Sequence, residues 1–260
     1  MPPICFDPVA LFRNRLSSAL PALRLASGII LLAAFPTAAG DTIAEGDCQN
    51  DAMIVFDASG SMGTTDRTLK VPHIARVKQS MAHVVPEVAP LRRLGLIVYG
   101  EGEYNDCNSI ELRLKPTAGA AQALLHAVEN INPRGRTPLT DSVRLAAETL
   151  NYTSQHATVV LLTDGEETCG GDPCKMAAAL KKTGKGLTIH VIGYRTETSG
   201  YFTTRCMADL TGGHYVSVSS EDELVEALRK TLGCPNISSL APAPATTPPQ
   251  RQACLRNDRH

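Results

Sequence analysis

Three short segments of the chain carry oxygen-bearing side chains that could together hold a divalent cation. The segment Asp57-Ala-Ser59-Gly-Ser61 spaces one carboxylate and two hydroxyls two residues apart, and later segments add Thr137 and Asp164. Two carboxylates and three hydroxyls form a hard, all-oxygen set, which suits Mg²⁺, or Mn²⁺ or Ca²⁺, rather than zinc or copper. Because two carboxylates only balance the charge of a divalent ion, an anionic oxygen from a partner could complete the coordination.

Both aspartates directly follow short apolar runs. Residues 52–56 read Ala-Met-Ile-Val-Phe before Asp57, and residues 158–163 read Thr-Val-Val-Leu-Leu-Thr before Asp164. Continuous apolar runs of this length are typical of strands buried on both faces of a parallel sheet. Ligands of such sheets bind at the carboxyl ends of the strands, so we expect the two aspartates to face one site.

The remaining chain alternates strand-like and helix-like segments. About six strands interleaved with six helices predict an α/β fold, a doubly wound, mostly parallel six-stranded sheet with helices on both faces. We expect the first helix to stop near Pro86 and the fourth to begin with Asp172 as its N-cap. The predicted strands are 52–56, 94–99, 110–114, 158–163, 187–192 and 214–218. The predicted helices are 74–85, 120–130, 139–152, 173–182, 201–210 and 221–232. Alternating polarity marks 110–114 as an edge strand.

The five oxygen-bearing residues, in their places within such a fold, resemble the metal-ion-dependent adhesion site of von Willebrand factor type A domains. The resemblance covers residues 48–234 and also rests on Gly-x-Thr-Pro-Leu before the third helix and Thr-Asp-Gly after the fourth strand. It implies the sheet order 3-2-1-4-5-6 with one antiparallel edge strand. It further implies coordination by Ser59 and Ser61 directly, by Asp57 and Asp164 directly or through water, and by Thr137 when a ligand binds.

The resemblance implies a metal-dependent protein-binding domain for adhesion or interaction. An Asp or Glu of a protein partner would complete the coordination shell of its ion. Selectivity would come from the loops at residues 100–109, 165–173 and 196–203, since loops vary freely over a rigid sheet. A structural or assembly component of an envelope complex or surface appendage is the alternative, because the same site would serve there.

The motifs of known enzyme classes fit this sequence less well, and we predict that the protein is not an enzyme. A Mg²⁺-dependent phosphohydrolase of the haloacid dehalogenase class needs a second Asp two residues after Asp57, where Ser59 cannot act as general acid. The sequence contains neither the Gly-x-Ser-x-Gly elbow of serine hydrolases nor a P-loop. The formal net charge of −1 argues against a nucleic-acid or membrane-surface binder.

Other polar residues near the motifs have plainer interpretations. Glu166 and Glu167 are expected to form a solvated acidic loop beside the site. The histidines, including His73, His83 and His190, lack the spacing of a metal site and are expected to be surface or core residues.

The two ends of the chain differ in composition from the predicted domain. Residues 1–39 combine three arginines, an 11-residue apolar run and small residues, which is typical of a secretory signal peptide. A permanent membrane anchor is the weaker alternative, since a span needs about 20 apolar residues. Residues 235–260, rich in Pro, Ala and Thr, are predicted to be a disordered tail. We therefore expect a periplasmic or secreted protein that has no stable membrane span after the signal peptide is removed. Residues 167–174 also resemble the corresponding segment of exported bacterial members of the von Willebrand factor type A family.

The cysteines agree with export. Of the eight cysteines, seven remain after removal of residues 1–39, a density that fits an oxidising compartment. A zinc site is the rival interpretation, but Cys169-x4-Cys174 is the only close pair. We favour a local Cys169–Cys174 bridge. The family resemblance, in which the domain ends lie close, favours Cys48–Cys234 next. Cys107 and Cys206 could also pair, which leaves Cys254 as the odd thiol.

Overall fold

The computed structural model describes residues 50–66, 70–195 and 200–233, and within residues 200–202 only the backbone. The strands are β1 (Ala52–Asp57), β2 (Leu94–Tyr99), β3 (Ile110–Thr117), β4 (His156–Thr163), β5 (Gly186–Tyr194) and β6 (Tyr215–Val218). The helices are α1 (His73–Val88), α2 (Ala121–Glu129), α3 (Leu139–Thr149), α4 (Pro173–Thr183), α5 (Gly200–Thr211) and α6 (Glu221–Leu232). A short 3-10 helix, Gly60–Gly63, follows β1. The predicted signal peptide and tail lie outside the described residues.

The six strands form one sheet in the order β3-β2-β1-β4-β5-β6. Every neighbouring pair is parallel except β2 and β3, which run antiparallel at one edge. The predicted fold class and strand order are therefore confirmed. From β1 in the centre of the sheet the chain winds outward to β3, and it then returns across β1 to form β4, β5 and β6. The order reverses between β1 and β4, where ligands of doubly wound sheets bind.

The central strands are buried on both faces because they are almost entirely apolar. All six residues of β1 are buried, and alternate side chains enter opposite layers. Ile54 and Phe56 pack with α1, α2 and α6 in one layer. Met53 and Val55 pack with α3, α4 and α5 in the other. Two packed layers fix β1 and β4 rigidly, and hence the residues at their carboxyl ends.

Helix α1 continues past the predicted stop. It includes Pro86 and ends at Val88, with the Ala89 N–H bonding the Val85 carbonyl. A proline in the last turn removes only one intrahelical hydrogen bond, while Val84, Val85 and Val88 gain burial in the core. Helix α4 begins as predicted, since the Asp172 side chain accepts the Lys175 N–H and Pro173 occupies the first turn. Among the described residues, no helix is both long and apolar enough to cross a bilayer.

Candidate metal centre

The adjacent strands β1 and β4 bring the two aspartates of the motif to one edge of the sheet. Phe56 pairs in register with Leu162, so the ends of the two strands lie side by side. Asp57 closes β1 and is completely buried, while the side chain of Asp164, directly after β4, is 2% exposed. Two carboxylates from segments more than a hundred residues apart thus meet beneath the protein surface.

Hydrogen bonds link four of the five predicted ligands into one cluster. Asp57 Oδ1 accepts the Ser59 N–H at 2.7 Å, which turns the chain sharply after β1. The hydroxyls of Ser59 and Ser61 lie 3.0 Å apart. Ser61 Oγ donates to Asp164 Oδ1 at 2.6 Å. The structure therefore brings Asp57, Ser59, Ser61 and Asp164 together around one point.

Thr137, the fifth predicted residue, lies on a loop that is tied to the same turn. The Gly60 N–H donates to the Gly135 carbonyl at 2.9 Å, and the Gly135 N–H donates to the Gly100 carbonyl at 2.6 Å. Thr137 follows two residues later and is 5% exposed. Its N–H donates to Thr168 Oγ1 at 2.8 Å, which joins this loop to the one after β4.

Gly100, directly after β2, permits this close approach of loops. Its φ of +85° lies in the left-handed region, and a Cβ built there would stand 2.6 Å from the Ser59 nitrogen. Only glycine combines that backbone conformation with so little space. The residue after β2 thus helps to place a motif that follows β1.

The electrostatics of the cluster favour a bound cation. Burial and the neighbouring Asp164 carboxylate raise the pKa of Asp57 to about 6, against the lowering effect of its bonds from Ser59 and Thr163. Thr163 Oγ1 donates to Asp57 Oδ2 at 2.6 Å. Burial and the Asp57 charge also raise the pKa of Tyr99 beneath the site. Two buried carboxylates that repel each other would gain from a divalent ion between them.

His73 is a contact of the site that sequence reasoning missed. Its Nδ1 lies 2.9 Å from Asp164 Oδ2, although the two residues are 91 positions apart. The expectation of a surface or core residue did not include this contact with Asp164. Because the contact depends on α1 beginning beside the end of β4, no spacing in the sequence signals it.

Glu167 also has a defined role, which corrects the expectation of a solvated acidic loop. Its Oε2 accepts the Thr140 N–H at 2.7 Å, and its Oε1 accepts the Cys169 N–H at 2.7 Å. Thr140 is in the first turn of α3, where backbone N–H groups lack partners within the helix. Glu167 therefore caps α3 and shapes the loop after β4.

The disulfides differ from those favoured by the sequence. Cys107 pairs with Cys169, and Cys174 pairs with Cys206, so the predicted Cys169–Cys174 bridge and the Cys107–Cys206 alternative are wrong. Cys174 lies in the first turn of α4, which packs on α5 where Cys206 is found. Between the two neighbouring cysteines the chain turns at Gly170, whose φ is +86°. Cys48, Cys234 and Cys254 lie outside the described residues.

The Cys107–Cys169 bridge joins two loops that border the cluster. Cys107 belongs to the β2–β3 loop, and Cys169 follows Thr168, whose carbonyl accepts a hydrogen bond from Arg136 Nη1 at 2.6 Å. The bridge spans 62 positions of sequence. The bridge therefore holds together the β2–β3 loop, the loop after β4 and the Thr137 segment, which together form the rim of the cluster.

Two oxygen–oxygen distances of the donor set are compatible with a small cation. In octahedral Mg²⁺ coordination at about 2.1 Å, neighbouring ligand oxygens lie about 2.9 Å apart. The distance between the Ser59 and Ser61 hydroxyl oxygens is 3.0 Å, and that between Ser61 Oγ and Asp164 Oδ1 is 2.6 Å. In the described ranges, this cluster included, no group of three or more His, Cys, Asp or Glu side chains could hold a metal, so a site here would depend on the hydroxyls as well as the two carboxylates.

Comparison with known proteins places this fold in a family. The sequence model of the von Willebrand factor type A domain (VWA domain) family matches residues 51–230. The chain belongs to the VWA domain family. Domains of this family generally mediate protein interactions and are generally not enzymes.

Individual relatives are distant. YwmD of Bacillus subtilis is 29% identical over 219 residues, which cover 79% of this chain and 95% of YwmD. Among solved structures, an aerotolerance-related membrane protein from Bacteroides fragilis matches with a TM-score of 0.55 at 19% identity, over 70% of this chain and 98% of that one. Proximal thread matrix protein 1 from the mussel byssus, solved with a zinc-occupied MIDAS (metal-ion-dependent adhesion site) motif, matches with a TM-score of 0.50 at 16% identity, over 72% of this chain and 48% of that one.

Proposed function

We propose that this VWA domain binds a protein partner through a divalent cation held by Asp57, Ser59, Ser61, Thr137 and Asp164. The hydrogen-bonded oxygen cluster at the carboxyl ends of β1 and β4 is the observation that carries the proposal. All five residues are oxygen donors, and the two carboxylates carry the charge that neutralises a divalent ion. When bound, the ion would offer an electrophilic position to an anionic oxygen of the partner.

Mg²⁺ is the ion we favour, with Mn²⁺ and Ca²⁺ as alternatives. Mg²⁺ is usually bound through only one or two protein carboxylates, which matches the two aspartates of this site, whereas Ca²⁺ takes six to eight oxygen ligands. The zinc-occupied motif of the mussel protein supports the general idea that this fold accepts a divalent cation at this edge.

The group that completes the coordination of the ion would be an Asp or Glu carboxylate of the partner. With two protein carboxylates the ion is only neutralised, so a third anionic oxygen still binds favourably to it. Contacts around the metal would come from the β2–β3 loop and the loop after β4, which the Cys107–Cys169 bridge holds together. Tyr104, 78% exposed on the first of these loops, offers a large surface for contact.

We also propose that the protein is exported to the periplasm or secreted. Two disulfides within the described residues support an oxidising compartment, as does the pattern of residues 1–39. In such a setting the domain would present its metal edge to other envelope or surface proteins.

A pull-down from the native envelope and secreted fractions tests this function. The bait is the immobilised protein with Mg²⁺ or with EDTA, and an Asp57→Ala bait with Mg²⁺ is the control. We expect a partner retained only with Mg²⁺ and intact Asp57, and released when an acidic residue of that partner is changed to Ala. Equal retention on all baits would contradict the metal-dependent role and favour an assembly component that binds through another surface.

Hydrolysis assays test the prediction that the domain is not an enzyme. We expect no turnover of p-nitrophenyl phosphate by the purified protein with Mg²⁺. Hydrolysis that requires both Mg²⁺ and Asp57 would overturn the binding function in favour of a phosphohydrolase.

A further inference from the structure

His73 holds one oxygen of a carboxylate whose other oxygen belongs to the cluster. Its Nδ1 lies 2.9 Å from Asp164 Oδ2, while Asp164 Oδ1 accepts the Ser61 hydroxyl at 2.6 Å. Each oxygen of Asp164 thus has its own partner on a different segment of the chain. A carboxylate bonded at both oxygens cannot rotate freely about its last side-chain bond.

The imidazole is itself held in place. His73 is the first residue of α1, and its N–H donates to the Thr64 carbonyl at 3.1 Å. The ring packs edge-on against Tyr194, with ring centres 5.4 Å apart and an angle of 75° between the planes. Its side chain is only 16% exposed. These contacts leave Nδ1 aimed at Asp164.

The imidazole supplies a hydrogen-bond donor at this position. The acceptor is a carboxylate oxygen, so the hydrogen of the contact belongs on Nδ1. The hydrogen bond from Nδ1 orients Asp164 through Oδ2 and keeps Oδ1 on the side of the cluster. Ligand carboxylates in metal sites are commonly oriented by such outer partners, whose loss costs about 10–100-fold in metal affinity.

We propose that His73 is the positioning residue of the metal site, which fixes Asp164 so that Oδ1 faces the cluster beside Ser61. This inference rests on the proposed metal-dependent function. It assigns His73 to orienting a ligand, not to binding the ion itself.

Calorimetric titration of the full-length protein with Mg²⁺ tests the assignment with three variants. His73→Ala removes the donor, and we expect about 10-fold weaker Mg²⁺ binding. His73→Asn places its amide nitrogen close to the position of Nδ1, and we expect it to restore affinity to within about threefold of wild type. His83→Ala is the matched control, since His83 lies on the same helix, is 58% exposed and is 3.9 Å from Glu221.

A second readout does not depend on the metal. Two-dimensional ¹H–¹⁵N NMR of the metal-free protein reports whether Nδ1 of His73 carries a hydrogen, and we expect that it does. The Nε2–H tautomer in the folded protein would overturn the proposal, because the contact with Asp164 would then lack its donor.

The outcomes separate the two proposals. If wild type binds Mg²⁺ and His73→Ala binds it equally well, the positioning role is wrong while the proposed function stands. If His83→Ala loses as much affinity as His73→Ala, the effect belongs to α1 in general and the role is also wrong. If wild type binds no Mg²⁺, the proposed function fails, and the positioning role fails with it.

Discussion

At the scale of single residues, Asp57 should make the stability of the metal-free protein depend on pH. Burial and the Asp164 carboxylate raise the pKa of Asp57 from 3.8 to about 6 in the folded state. Between these values the folded state holds the proton more tightly than the unfolded chain, so stability falls as the pH rises. This one group should remove on the order of 2 kcal/mol of unfolding free energy between about pH 4.5 and about pH 7.

Urea unfolding in metal-free buffer measures this effect. The Asp57→Asn variant has no carboxylate to ionise, so its stability relative to wild type should increase from pH 4.5 to pH 7. Asp141→Asn is the control, because Asp141 is exposed and forms only a surface ion pair with Arg144. Parallel loss of stability in wild type and Asp57→Asn would show that Asp57 does not titrate in this range.

The sequence predicted which residues form the oxygen cluster, but it did not predict which residues contact that cluster. Asp57, Ser59, Ser61 and Asp164 could be grouped from the sequence because motif spacing and strand ends place them locally. His73 and Glu167 could not, since their contacts join segments that only the folded chain brings together.

At the scale of elements, the turn after β1 depends on glycine in a neighbouring connection. We predict that Gly100→Ala destabilises the protein by more than about 2 kcal/mol and abolishes its Mg²⁺ response, because the new Cβ would displace Ser59. Gly119→Ala is the matched control, with φ of +63° but no atom within 4 Å of the added Cβ. It should cost about 1 kcal/mol and keep the response. Thermal unfolding with and without Mg²⁺ measures both, and equal behaviour would contradict the role of Gly100.

The two disulfides should differ in function more than in stability. On the chain-entropy model, bridges spanning 62 and 32 positions each contribute up to about 4 kcal/mol. We predict that replacing Cys107 and Cys169 by Ser weakens metal-dependent partner binding, since the two rim loops separate. Replacing Cys174 and Cys206 by Ser should lower stability similarly and leave partner binding intact. Paired urea unfolding and pull-down measure the two effects, and equal loss of binding would contradict a specific role for the rim.

Element positions followed from hydrophobic pattern, while their connections did not. Helix α6 agrees with its predicted bounds because a clear amphipathic period and Ser220 as N-cap define it locally. The cysteine pairing failed because it depends on which loops meet over the sheet. Helix α1 ends at Val88, two residues beyond Pro86, because burial of the last turn outweighed a local breaking signal.

At the scale of the whole molecule, the two ends of the described domain meet at one side chain. The guanidinium of Arg92 donates to the Asn50 carbonyl at 2.8 Å through Nη2 and to the Leu232 carbonyl at 3.1 Å through Nη1. Residues 50 and 232 are therefore near neighbours. Cys48 lies two positions before Asn50 and Cys234 two positions after Leu232 in the sequence, and their pairing stays a prediction.

Peptide mapping of the non-reduced protein tests that pairing. We expect a peptide pair joined through Cys48 and Cys234, and alkylation of Cys254 without prior reduction. A Cys48–Cys254 or Cys234–Cys254 peptide pair would contradict the prediction.

The overall topology was the most predictable level of this protein. Apolar runs at β1 and β4, alternating with amphipathic helices, allow few arrangements other than a doubly wound sheet, and the family resemblance supplied the strand order. The sheet then fixes where a site can form, at the reversal between β1 and β4.

Calorimetric titration with Mg²⁺ of wild type, Asp57→Ala and Asp141→Asn tests the central claim most directly. The account predicts a single saturable site in wild type and in Asp141→Asn, and none in Asp57→Ala, with all three proteins folded by circular dichroism. Equal Mg²⁺ binding by Asp57→Ala and wild type would contradict it, because the ion would then be held elsewhere than at the ends of β1 and β4.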